Sequence, residues 1–105
     1  MLVQFPYTDL TGLKLRPALV VAPQRDADVI LAFITSQIGG TDPQTDHLIA
    51  PTHAEFGRTG LKVASVIRLD KIATLHRTLV YRRLGSIGPS STAAVGDLLR
   101  RVFEL

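Results

Sequence analysis

The apolar residues of this chain come in short runs separated by turn residues, a pattern typical of small β domains. The two strongest runs, residues 17–22 (PALVVA) and 28–34 (DVILAFI), have the length of buried strands. Pro23 ends the first run, and residues 24–27 have the right length for a hairpin connection between the two. The sequence therefore predicts an antiparallel pair of core strands.

Weaker patterns surround this pair. Residues 2–5 predict a strand that Pro6 closes, and residues 7–15 predict a polar loop. Further short strands are expected at 47–50, 62–69, 73–75 and 79–84, with loops at 39–43 and 51–60. About six or seven strands are expected in all.

The apolar period changes after Gly88 and Pro89, where a helix is predicted. Apolar residues then recur on one helical face at Val95, Leu98, Leu99, Val102 and Phe103. Ser90 or Ser91 is expected to cap the start of this helix, and two arginines suit its C-terminal end. A strand-rich body with one terminal helix indicates a mainly β fold, a small SH3-like barrel that forms a single domain over residues 1–105.

Composition narrows the classes of function. The absence of cysteine excludes a disulfide framework, a thiolate nucleophile and a cysteine zinc site. Twelve Lys and Arg against nine Asp and Glu give a net charge of +3, which favours a polyanionic partner without establishing one. No stretch resembles a membrane helix or a secretory signal. We therefore expect a cytoplasmic protein with no membrane partner.

Arg16 and Thr35 form the main candidate constellation. Arg16 precedes the first core strand and Thr35 ends the second, so pairing of the two strands brings both side chains to one end of the sheet. A guanidinium binds phosphate through two donors and offsets charge that develops on it, and a nearby hydroxyl can assist. The alternatives are a solvated strand-end arginine and ordinary turn chemistry at residues 35–37.

Other polar residues give weaker signals. Three histidines, His47, His53 and His76, show no metal-ligand spacing, and we expect structural or solvent roles for them. The basic residues could follow a phosphate backbone or simply form a solvated face; they are Lys62, Arg68, Lys71, Arg77, Arg82 and Arg83.

Five segments, in this order and spacing, resemble PemK/MazF-like toxins. They are 5–12 (FPYTDLTG), 15–21 (LRPALVV), 28–37 (DVILAFITSQ), 65–72 (SVIRLDKI) and 83–85 (RLG). Each block alone is weak, whereas the ordered set covers essentially the whole chain and is specific.

The resemblance implies the toxin of a type II toxin–antitoxin pair, an mRNA interferase that cleaves single-stranded RNA. It implies a PemK/CcdB-like barrel, a homodimer and a cognate antitoxin as protein partner. No metal or cofactor is expected, because the sequence has no cysteine and no clustered His and Asp, and an arginine can stabilise the charge on a phosphate. The family's catalytic arginine corresponds to Arg16 and its catalytic threonine to Thr35. By the same correspondence, the RNA-binding positions are Phe5, Pro6, Thr8, Lys14, Ser36 and Gln37.

Two other functions stay open at this point. The same fold occurs in CcdB-like toxins that poison DNA gyrase, for which an exposed C-terminal helix would make the contact. Family members usually begin with a Gly-Asp-hydrophobic segment before Phe-Pro, whereas this sequence starts within that strand, at Leu2. Part of an edge strand is then expected to be missing, and an inactive toxin that binds only its antitoxin or nucleic acid is the third hypothesis.

Overall fold

Among the described residues, six strands form one antiparallel sheet and one α-helix follows them. The computed structural model describes residues 1–9, 12–23 and 26–105. The elements are β1 (Leu2–Asp9), β2 (Gly12–Pro23), β3 (Asp28–Thr35), β4 (Asp46–Ile49), β5 (Ser65–His76), β6 (Arg82–Gly85) and α1 (Pro89–Val102). The strand order is β4-β5-β3-β2-β1-β6, and the sheet curls into half a barrel. The predicted mainly β barrel fold with a C-terminal helix is confirmed.

Both faces of the sheet are apolar. One face packs under α1 as a cluster of buried residues, Leu2, Leu19, Ala32, Ile34, Ile49, Ile67, Leu69, Val95 and Leu98. The opposite face has a second cluster, Val3, Phe5, Ala18 and Leu31. Successive residues of a strand alternate between faces, so a strand buried on both sides has a continuous apolar run. This explains the patterns at 17–22 and 28–34.

The first hairpin is longer than predicted. β1 continues past Pro6, and β2 already begins at Gly12, so residues 7–9 and 12–15 form strands where a loop was expected. Leu10 and Thr11, also within the predicted loop, lie outside the described residues, as do Gln24 and Arg25 of the predicted connection between β2 and β3.

The position of Pro6 explains why it does not end β1. The backbone of Gln4 faces β6, where its carbonyl oxygen accepts a hydrogen bond from the N–H of Tyr81 at 2.7 Å. Pro6, two residues further on, faces the same side but lies beyond the last β1–β6 pair, Gln4 with Arg82. Its missing N–H therefore removes no bond to a neighbouring strand.

The β5 strand is continuous, although two separate strands were predicted within it. Ala32 of β3 pairs with Ile72, and the next residue, Phe33, pairs with Arg68, so residues 69–71 form a bulge. The extra residues interrupt the alternation and divide the sequence pattern in two. The predicted strand at 79–84 is shorter in the structure, because Arg77–Leu79 form a 3-10 turn before β6.

Helix α1 starts as predicted, but the expected serine cap was wrong. Its N-cap is Gly88, and neither serine hydroxyl makes a capping bond. The carboxylate of Glu55 instead accepts hydrogen bonds from the N–H groups of Ser90 at 3.0 Å and Ser91 at 3.1 Å. The helix ends at Val102, so Phe103 lies beyond it and is 56% exposed, outside the buried face where it was expected.

Candidate active site in the sheet cleft

Arg16 and Thr35 come from neighbouring strands and line the same cleft. Ala18 of β2 pairs with Phe33 of β3, and extending this antiparallel register by two residues brings Arg16 opposite Thr35. Both side chains are half-buried and line a cleft of about 430 Å³ on the sheet face away from α1. The strands thus bring together the two residues that the sequence singled out.

A local hydrogen bond fixes the hydroxyl oxygen of Thr35. Thr35 Oγ1 accepts a bond from the backbone N–H of Gln37 at 3.0 Å. The bond uses one lone pair of the hydroxyl and leaves its proton to be donated to a ligand. Gln37 itself lines the cleft, together with residues 39–41 of the following loop, whereas Ser36 is exposed and is not among the lining residues.

Three aromatic rings lie beside Arg16 in the cleft. Phe5 of β1 pairs directly with Arg16, and Tyr7 follows two residues later on the same face. The ring centroids are 6.5 Å apart for Phe5 and Tyr7, 5.3 Å for Phe5 and Phe33, and 6.0 Å for Tyr7 and Phe33. Ala18 of β2 pairs with Val3 of β1 on one side and with Phe33 of β3 on the other. Its small side chain leaves room for the rings of β1 and β3 to meet across β2.

Charged side chains of both signs lie on the other side of Thr35, on β5 and β4. Arg68 Nη2 lies 3.0 Å from Asp70 Oδ2, and Arg68 Nε lies 3.8 Å from Oδ1 of the buried Asp46. That Nε is buried and has no hydrogen-bond partner within the part of the chain that the structure describes. Asp46 also accepts bonds from two groups of the loop before β4. Its carboxylate therefore holds both Arg68 and this loop, and Lys71 of β5 also lines the cleft.

The sequence as a whole also matches a known protein family. Residues 1–103 match the family of PemK-like, MazF-like toxins of type II toxin–antitoxin systems. The chain belongs to this family. No curated protein matches the sequence.

Solved mycobacterial toxins share the fold of this PemK/MazF-like toxin. A toxin of Mtb aligns with a TM-score of 0.74 and 19% identity over 98% of this chain and 100% of its own. Mycobacterium tuberculosis toxin MazF-mt6 aligns with a TM-score of 0.73 and 21% identity over 98% of this chain and 97% of its own. A mycobacterial endoribonuclease in complex with its cognate antitoxin aligns with a TM-score of 0.72 and 21% identity over 98% of this chain and 92% of its own.

The other positions that the resemblance assigned to RNA lie in different surroundings. Phe5 is only 3% exposed and forms part of the cleft floor. Pro6 pairs with Leu15 and so faces the opposite side of the sheet from the cleft. Lys14 is exposed two residues before Arg16, beyond the cleft lining. The side chain of Thr8 lies outside the described residues.

None of the three histidines lines the cleft. His47 Nε2 lies 3.0 Å from Ser91 Oγ, on the helix-covered face. Burial lowers the pKa of His47 below its ordinary value near 6.5, and repulsion from the nearby His53 lowers it further. His53 Nδ1 accepts a bond from the N–H of Glu55 at 3.0 Å, and His76 Nδ1 lies 2.7 Å from Thr78 Oγ1. All three contacts lie outside the cleft.

Residues 1–9, 12–23 and 26–105 contain no cluster of three or more His, Cys, Asp or Glu that could hold a metal ion. The one helix in these ranges is too short to cross a membrane.

Phe33 and Asp46 are cleft residues that were not predicted from the sequence, and Tyr7 was not singled out within the segment 5–14 that the resemblance assigned to RNA contact. Tyr7 fell within a predicted loop, and Phe33 within a run interpreted only as core. Phe33 could have been predicted from strand alternation, because it lies two residues before Thr35 and therefore on the same face of the sheet. Asp46 has no local signal, since its contact with Arg68 depends on the pairing of β4 with β5.

Proposed function

We propose that this toxin is a metal-independent endoribonuclease that cleaves single-stranded RNA, commonly mRNA, at a short preferred sequence. The observation that carries the proposal is that Arg16 and Thr35, from neighbouring strands, line one cleft, to which Lys71 adds a second cation that makes no ion pair among the described residues. Such a cleft attracts a phosphate backbone and can hold one phosphate between a guanidinium and a hydroxyl.

In the proposed reaction, the 2′-oxygen of one ribose attacks the adjacent phosphorus, and the bond from phosphorus to the 5′-oxygen breaks. The 2′-hydroxyl loses its proton to water, and the departing 5′-oxygen takes one from water at the open cleft. The products are a 2′,3′-cyclic phosphate and a 5′-hydroxyl end. DNA is not a substrate, because it lacks the attacking hydroxyl.

The Arg16 guanidinium holds the phosphate through two donors and offsets the extra negative charge that develops as the 2′-oxygen attacks. A guanidinium is a poor base, so this group acts electrostatically. Thr35 donates its hydroxyl proton to a phosphate oxygen, while the N–H of Gln37 keeps the hydroxyl oxygen in place. The positive charge at Arg16 is what removes the need for a divalent cation.

The proposal extends to partners. A cognate antitoxin is expected to place an acidic segment in the cleft, because the basic groups that hold RNA also attract carboxylates. A homodimer is expected, since exposed apolar side chains such as Leu13, Leu48 and Val63 are numerous for so small a chain. The cytoplasm is the expected compartment. Light scattering should give about twice the 11.4 kDa chain mass, and a purely monomeric mass would contradict this part.

The test is incubation of the purified protein with end-labelled single-stranded RNA in EDTA. Discrete cleavage with cyclic-phosphate and 5′-hydroxyl ends is expected, and single-stranded DNA of the same sequence should remain intact. Activity that disappears in EDTA and returns with magnesium would contradict metal independence. Inhibition of DNA gyrase without RNA cleavage would favour the CcdB-like function, and antitoxin binding without either activity would favour the inactive toxin.

A further inference from the structure

The aromatic rings of the cleft differ in exposure. Phe5 is 3% exposed, so its ring belongs to the core of the sheet face. Phe33 is half-buried, and Tyr7 is 37% exposed although it packs edge-on against both neighbours. Phe5 therefore supports the other two rings, which present apolar surface to the cleft.

These rings border the proposed phosphate site directly. Phe33 precedes Thr35 by two residues on the same face of β3. Tyr7 is two residues past Phe5, the residue that pairs with Arg16. Tyr7 and Phe33 thus lie diagonally across β2 at Arg16, and a phosphate held by Arg16 and Thr35 has aromatic surface within reach of its own nucleotide.

An exposed ring on a rigid support is suited to a flat ligand. Every nucleobase has a π-face, and stacking on a tyrosine or phenylalanine is tolerant of sequence. In a duplex the bases are already stacked and paired, whereas in a single strand they can turn outward onto a protein ring. Within the described residues, no hydrogen bond engages the Tyr7 hydroxyl, so it can also contact the edge of a base.

We propose that Tyr7 and Phe33 form a nucleobase subsite, in which a base next to the cleaved phosphate stacks on the exposed Tyr7 ring. The proposal rests on the ribonuclease function proposed above and adds to it the group that selects single strands. Tyr7 stacks on the base, Phe33 adds apolar surface beside it, and Phe5 supports both rings.

The experiment compares two uncleavable probes by fluorescence anisotropy. The first is a fluorescein-labelled, random-sequence 2′-O-methyl RNA of about ten nucleotides, within the range of single-strand site sizes. The second is an abasic sugar-phosphate oligomer of the same length and charge. The wild-type protein should bind the first more tightly, because only that probe has bases to stack.

Tyr7→Ala should lose roughly 5- to 140-fold in affinity for the RNA probe and bind the abasic oligomer unchanged. Tyr7→Phe should retain most of the preference, since it keeps the ring. The matched control is Tyr81→Ala, because Tyr81 is 66% exposed and does not line the cleft. That variant should behave like the wild-type protein.

The outcomes separate this inference from the function on which it rests. A wild-type protein that cleaves RNA while Tyr7→Ala keeps the full preference for bases would overturn the subsite alone. Equal loss for both probes in Tyr7→Ala would also overturn it, because the effect would then lie in the backbone site. A wild-type protein that neither binds the RNA probe nor cleaves RNA would overturn both.

Discussion

The Glu55 carboxylate accepts a hydrogen bond from the backbone N–H of Ser91, which lies 36 residues further along the chain. A second bond, from Ser90, completes the cap of α1. A Cβ at Gly88 would overlap the Glu55 carboxylate, so a larger residue there would displace this cap. The loop after β4 and the terminal helix are thereby joined at the rim of the core.

The first prediction concerns this cap. Glu55→Gln should lower the melting temperature, because a neutral amide satisfies the free N–H groups of the helix start less well than a carboxylate does. Thermal melts at neutral pH are the measurement. The matched control is Glu104→Gln, beyond the end of α1, which should melt like the wild-type protein. Equal melting temperatures for Glu55→Gln and the wild-type protein would show that the cap does not stabilise the fold.

The second prediction concerns pH. The pKa of His47 is lowered from a value near 6.5, and bonds from Ser90 and Ser91 lower the pKa of Glu55 from a value near 4.5. In both cases the unfolded chain binds more protons within the affected range. The contribution of His47 is complete above about pH 6.5 and is lost as the pH falls toward its lowered folded-state pKa. The contribution of Glu55 is lost below about pH 4.5.

Melts between about pH 7.5 and 5.5 test the histidine. His47→Gln should reduce the loss of stability over this interval, whereas the exposed His76→Gln should not. Both variants should keep RNA cleavage within about tenfold of wild type, because neither side chain lines the cleft. A folded but inactive His47 or His76 variant would redirect the mechanism to histidine acid–base catalysis.

The third prediction compares two glycines. A Cβ at Gly85 would lie 2.6 Å from the Thr59 carbonyl oxygen, because β6 packs closely on the 3-10 turn Phe56–Thr59. Gly85→Ala should therefore destabilise the protein by about 1–3 kcal/mol or more. In α1, a Cβ at Gly96 meets only Arg100 Nη1, at 3.8 Å. Gly96→Ala should stabilise by about 0.4–1 kcal/mol. Denaturant titrations giving the opposite order would contradict this packing.

The features that sequence predicted correctly are those set by local pattern or by neighbouring strands. The 28–34 run predicted β3, and the helical period predicted α1, because burial imposes each period. Arg16 and Thr35 could be brought together because a short connection joins their strands. Features set by distant contacts were missed: the Glu55 cap, the continuation through Pro6 and the Arg68–Asp46 contact each depend on a partner far along the chain.

The fourth prediction concerns the Thr35 hydroxyl. Thr35→Ala should remove the donor to the phosphate and the acceptor for the Gln37 N–H, and so lose activity. Thr35→Ser should keep part of the activity, since it retains the hydroxyl. Single-turnover rates on one RNA substrate give the comparison. Equal rates for the alanine and serine variants would show that the hydroxyl is not used.

The central claim is that the Arg16 guanidinium does the electrostatic work of RNA cleavage. Its most direct test is the single-turnover cleavage rate of Arg16→Ala on single-stranded RNA in EDTA, after thermal melts establish folding. We predict that Arg16→Ala lowers this rate by about 10²- to 10³-fold. Arg16→Lys should recover little of the rate, and the control Arg101→Ala, on α1, should cleave at the wild-type rate. A wild-type rate in folded Arg16→Ala would contradict the account.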